Sequence, residues 1–197
     1  MPRLSKPTGI NGLSLTGLVL LAAAVALVLL VRGDDDDGSS TETLNTLTVD
    51  EPAPGAPAAT PFTLSYPDSW TEVSKEEVGS AAGDTLAILR REGRSGVLVV
   101  AQRETPSNLD LEQLGEKLGK QIKRGIPDAQ EVAARPTHLP AGDAFVYSFV
   151  RERAGTVHSV VVVPSGGVTY VLNSVIPSGN NEAAQEVGEI VRTLTFE

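Results

Sequence analysis

Hydrophobic and polar positions divide the chain into three stretches of different character. From Pro7 to Val31 there is no charged residue, and Leu13–Val31 is built almost wholly of Leu, Val and Ala. A helix over 13–31 measures about 28 Å, close to the hydrocarbon thickness of a bilayer and longer than the apolar core of a cleavable leader. Small-residue triplets such as Ala22-Ala23-Ala24 lie inside the run, with Leu27–Val31 still to come, so the expectation is an uncleaved signal anchor. Residues 32–60 reverse the pattern. They carry Asp34–Asp37, Glu42, Asp50 and Glu51, then a Pro-Ala-rich run from Pro52, and after Arg32 they hold no base. So little apolar surface cannot offset ordering entropy, and the segment reads as a disordered linker. Leu44, Leu47 and Val49 are its scattered apolar positions, able to dock on a neighbouring folded domain.

From Pro61 onward, alternation returns and predicts the folded body, residues 61–197. Phe62-Thr63-Leu64-Ser65 alternates and meets a turn signal, Tyr66-Pro67-Asp68-Ser69-Trp70. Strands over 85–91 and 97–103 flank the loop Glu92–Gly96. A helix then opens at Asp110, with Leu111, Leu114, Leu118 and Ile122 on one face and Lys120, Lys123, Arg124, Gly125 and Pro127 marking its close. Four strands are expected over 131–135, 144–151, 156–163 and 168–176, and a helix over 181–193. Links this short make antiparallel neighbours, because a parallel crossover needs a dozen residues or more. Two amphipathic helices beside such a sheet give an α+β layer fold, and strands as apolar as Val160–Val163 require cover on both faces.

Composition sharpens this map. The chain has 197 residues with 25 acids and 16 bases, net −9, but seven acids sit in the linker and three bases flank the apolar run, leaving the body at −5. An acidic chain excludes general nucleic-acid binding, which needs a basic face. With no cysteine, disulfides, thiolate metal sites and cysteine nucleophiles are excluded. Arg3, Lys6 and the amino terminus outweigh Arg32, so residues 1–12 are expected in the cytoplasm and the body outside it, on a single-pass bilayer anchor at 13–31.

The opening Phe62-x-Leu64-x-Tyr66-Pro67-x-x-Trp70, the order of hairpins, helix, strands and helix, and the Thr193-Leu194-Thr195-Phe196 tail resemble the PsbP-like superfamily. The resemblance covers essentially the whole body. It implies an α-β-α sandwich around an antiparallel sheet and the accessory or binding role without catalysis of the characterised members; the chain resembles best the bacterial membrane-anchored envelope members, whose function is unassigned.

Candidate chemistry is sparse. His138 lies in a loop before Asp143, and His158 shares a strand face with Val160 and Val162. Gly115-Glu116-Lys117-Leu118-Gly119-Lys120 has neither the spacing nor the position of a phosphate loop, and no cofactor is expected. Lys117, Lys120, Lys123 and Arg124 form a basic helix side able to meet an anionic partner, and Tyr66 with Trp70 either edges a ligand groove or staples the hairpin onto the sheet as core. Two functions stay open: a tethered, non-enzymatic module binding a protein or envelope component, or an envelope hydrolase whose histidine, carboxylate and nucleophile meet only on folding.

Overall fold

The computed structural model describes residues 44–50, 60–74, 77, 85–104 and 110–197, and these hold ten strands and two α-helices. Strands β1 (Leu44–Val49), β2 (Phe62–Pro67), β3 (Trp70–Glu72), β4 (Thr85–Arg91) and β5 (Val97–Glu104) precede helix α1 (Leu111–Gly125). Strands β6 (Ala129–Leu139), β7 (Gly142–Arg151), β8 (Thr156–Ser165) and β9 (Val168–Pro177) lead to helix α2 (Asn181–Arg192) and the short β10 (Thr195–Phe196). A seven-stranded sheet runs β3-β4-β5-β9-β8-β7-β6, and a three-stranded sheet runs β1-β2-β10. Every ladder between described strands is antiparallel. Gly166 and Gly167, both at positive φ, make the tight β8–β9 turn that side chains with a Cβ resist.

Alternation along the central strands sends side chains into two separate cores. Phe145, Tyr147 and Phe149 of β7, with Val160 and Val162 of β8, pack under Leu114, Leu118 and Ile122 of α1. Val161, Val163, Tyr170 and Leu172 point the other way, to α2 (Val187, Ile190) and the small sheet (Leu47, Phe62, Leu64). The result is an antiparallel α+β fold, with α1 on one face of the main sheet and α2 with the small sheet on the other.

The N-terminal cap of α1 is as the sequence predicts, whereas its C-terminal cap is Ile126, one residue beyond the expected Gly125. The Asp110 carboxylate accepts from the backbone N–H groups of Glu112 and Gln113, at 2.9 and 3.1 Å. Two other expectations are corrected. Residues 44–49, inside the expected linker, form β1: Leu47 lies opposite Leu64 and Val49 opposite Phe62, and Leu47 is buried against the α2-side core. Three scattered apolar side chains suffice because β2 offers a ready edge. The expected short strand 131–135 runs the whole of Ala129–Leu139, where Pro136 and a bulge at Glu131/Ala133 blur the alternation. The expected span at 13–31 lies outside the described residues, and so does most of the linker; among the described residues no helix is long and apolar enough to cross a membrane.

Candidate functional site

Helix α1 crosses the edge of the main sheet over a groove of about 470 Å3. Gly115, Gly119, Lys120 and Lys123 of α1 form one wall, Glu131, Ala134 and Pro136 of β6 the other, and Phe145 the floor. The two glycines set its depth. A Cβ on Gly115 would stand 2.7 Å from Phe145 Cε1 and closer still to Cζ, and one on Gly119 would stand 3.1 Å from Tyr147 Cε2. The G-x-x-x-G spacing therefore lets the helix backbone rest on two aromatic rings. Tyr147 is fully covered, beneath the helix, and its hydroxyl donates to Glu131 at 3.0 Å, tying β7 to the far wall. Burial first, and then that carboxylate, push the Tyr147 hydroxyl up to about 12.

Charge is divided along the helical wall of the groove. Glu112 and Glu116 line the end nearer the start of α1, Lys120 and Lys123 the other. Lys120 pairs with Glu116 one turn away, and its hydrogen bond and charge hold the Glu116 carboxyl below the usual range. Lys123 stands 3.9 Å from Glu131. Of the four basic residues singled out in sequence, Lys120 and Lys123 line the groove, whereas Lys117 and Arg124 are exposed on α1 outside it.

The other sequence candidates do not join this site. Trp70 is 1% exposed, so it does not edge a ligand groove. Its indole N–H donates to Glu186 of α2 at 2.8 Å, and Arg91 grips the same carboxylate through two bonds of 2.6 and 3.1 Å. Sequence gives no sign of this network, because its members come from three distant elements. Burial pushes the Glu186 carboxyl upward, but its bonds to Arg91, Trp70 and Ser69 win, so it titrates below its ordinary value. Tyr66 is half-buried, and burial followed by the charge of Glu72 raises its hydroxyl.

The histidines are far apart in character. His138 Nδ1 lies 2.9 Å from Asp143 Oδ1, with both side chains close to 80% exposed on the β6–β7 hairpin. His158 is 2% exposed, stacked on Phe149 at 4.6 Å between ring centroids, with Nε2 3.1 Å from Thr156 Oγ1. Burial, then the charge of nearby Arg151, lower its pKa to about 4, against a smaller upward pull from Asp128. Neither histidine lines the groove, and among the described residues no cluster of three His, Asp or Glu is arranged to hold a metal ion.

No family model and no curated protein matches the sequence. The fold does have solved counterparts. The solution structure of cyanobacterial PsbP (CyanoP) from Synechocystis aligns at TM-score 0.55 and 12% identity, covering 85% of this chain and 99% of that one. The body has the PsbP-like fold. The Ran-binding protein Mog1p of Saccharomyces cerevisiae shares it at TM-score 0.53 and 13% identity, over 79% of this chain and 96% of that one. So does LpqN, involved in cell envelope biogenesis in Mycobacterium tuberculosis, at 0.50 and 16%, over 77% and 90%. On identities this low the shared property is the PsbP-like fold alone.

Proposed function

We propose that the chain is a membrane-tethered, extracytoplasmic and non-enzymatic module that docks an envelope protein or cell-surface component in the groove between α1 and β6. The observation that carries the reading is the construction of that groove. Its floor is locked by packed aromatics, so it is preformed, and its rim presents two acids and two bases in order along one helix. A preformed groove avoids ordering cost on binding, and ordered charges select a partner and its direction. The PsbP-like fold supports the same class of role, since Mog1p is a Ran-binding protein and LpqN is involved in envelope biogenesis. The tether rests on the uncharged run 13–31 and on Arg3 and Lys6 before it.

Two measurements test this. A photo-crosslinking residue at Ala134, in the groove, should give a discrete adduct in intact cells that the same residue at Gln185, on exposed α2, does not. Identical adducts from both positions, or none from Ala134, refute the docking site. Protease added to intact cells should remove the body, and a body protected until lysis refutes the orientation.

A further inference from the structure

We infer that β1 is an association surface through which two copies of this chain pair edge to edge. Sheet edges expose unpaired backbone donors and acceptors, and folded proteins normally protect them with charge, proline, bulges or shortness. The edges among the described residues obey that rule, with one exception. Strand β3 is three residues long and ends in Glu72, and β10 is two residues long. Strand β6 carries Glu131 and Arg135, a bulge at Glu131/Ala133, and Pro136, which has no N–H to offer. Strand β1, Leu44-Asn45-Thr46-Leu47-Thr48-Val49, has three strong strand formers in Thr46, Thr48 and Val49 and carries no charge, proline or bulge, in unbroken register with β2. Leu44 at its start is 64% exposed.

The occupant that suits this edge is the same edge of a second copy. A two-fold axis through Thr46 puts Thr46 opposite Thr46 and Leu44 opposite Thr48 on the exposed face, and Asn45 opposite Leu47 on the other. Paired residues then keep the same side of the sheet, as antiparallel pairing demands, and no like charges meet. A charged strand would instead meet an uncharged one with nothing to complement it. The chain preceding β1 supplies the concentration. This step rests on the tether reading: twelve residues, 32–43, separate Val31 from Leu44 and span at most about 43 Å in any conformation. Copies confined to a layer that thin beside one membrane meet at a local concentration set by their surface density, about 1 mM at one copy per roughly 40,000 Å2. Pairing of a six-residue edge needs that help, because it buries less than the roughly 1,000 Å2 of a dimer stable in dilute solution.

The test uses the full chain in phosphatidylethanolamine–phosphatidylglycerol vesicles and a short bismaleimide, which is clean because the protein has no cysteine. Thr46→Cys should cross-link to dimer, and Val132→Cys, on the protected β6 edge, should not. Adding Leu44→Lys with Thr48→Lys sets two like-charge pairs directly opposite and should cut the Thr46→Cys dimer about tenfold, with an unchanged thermal melt. The inference is overturned if the two cysteine variants cross-link equally, or if the dimer survives both lysines. Vesicle flotation is read separately. A chain left in the aqueous fraction refutes the tether, and the same cross-link is then read at about 1 mM in solution, where its absence refutes the pairing.

Discussion

Replacing Gly115 with alanine isolates the contact that shapes the groove. The new Cβ would stand 2.7 Å from Phe145 Cε1 and nearer still to Cζ. Carbon atoms rest at about 3.5 to 4 Å, so α1 and the ring must separate by an ångström or more. Overpacking of this kind costs about 1 to 3 kcal/mol, and so severe a clash belongs at the upper end. Alanine returns about 1 kcal/mol of helix propensity, leaving a net loss of about 2 kcal/mol. For a body of this size that lowers the melting temperature by about 6 °C. Phe145→Leu removes the clashing ring atoms at its own cost of about 1 to 2 kcal/mol. In that background Gly115→Ala should change sign and stabilise by about 1 kcal/mol, a coupling of about 3 kcal/mol. Urea unfolding of the four proteins reads the cycle. If Gly115→Ala has the same sign in both backgrounds, the packing argument for the glycine is wrong. If it is stabilising in the parent, the helix does not rest on the ring.

Three further outcomes rest on the same set of contacts. His158 has a folded pKa of about 4 against an ordinary 6.5, so the unfolded chain binds the extra proton between those values. Stability should therefore be complete above pH 6.5 and fall by about 3 kcal/mol on acidification toward pH 4, and His158→Phe should flatten that slope in urea melts at pH 7, 6, 5 and 4.5. Glu186→Gln weakens the grip on the half-buried Arg91 guanidinium and should cost about 2 to 3 kcal/mol, whereas Glu182→Gln, at the exposed end of the same network, should cost less than about 0.5 kcal/mol. Equal effects in denaturant titrations would mean that the buried part of the network contributes nothing special. Leu47→Ala removes the one fully buried side chain of β1 and should raise amide exchange across Leu44–Val49 by about thirtyfold, with exchange in β7–β9 unchanged.

Much of the fold is legible before any coordinates, and the reasons are local. Helix α1 announces itself because Asp110 caps it and its leucines repeat at helical spacing; β7, β8 and β9 do so because tight glycine-bearing turns separate apolar runs. What escapes depends on partners far along the chain. Strand β1 has too few apolar residues to declare itself and exists because β2 presents Phe62 and Leu64 to it. The glycines of α1 resemble a defective phosphate loop until Phe145 and Tyr147, thirty residues away, occupy the space their missing side chains leave. For Trp70 the sequence leaves a groove edge and a core staple both open; its burial settles the core role, and the partner of its N–H, Glu186, is not legible at all. For the basic helix side, sequence reveals the charge but not the direction, and the opposite wall at β6 selects Lys120 and Lys123 over Lys117 and Arg124.

The pairing of β2 with β10 imposes an order on the birth of the protein. Thr63 and Thr195 share a hydrogen bond of 2.7 Å, the Ser65 N–H reaches Thr193 Oγ1 at the same distance, and the Phe196 ring lies 4.7 Å from that of Tyr170. Residues among the first of the body to leave the ribosome thus wait for partners about 130 positions later. During synthesis β2 can pair with β1 along one edge, while the edge that β10 later covers stays open to whatever chaperone or stray strand it meets. Closure of the small sheet is therefore a late step, and the alternative pairings open to β2 before then are where misfolding of this chain begins.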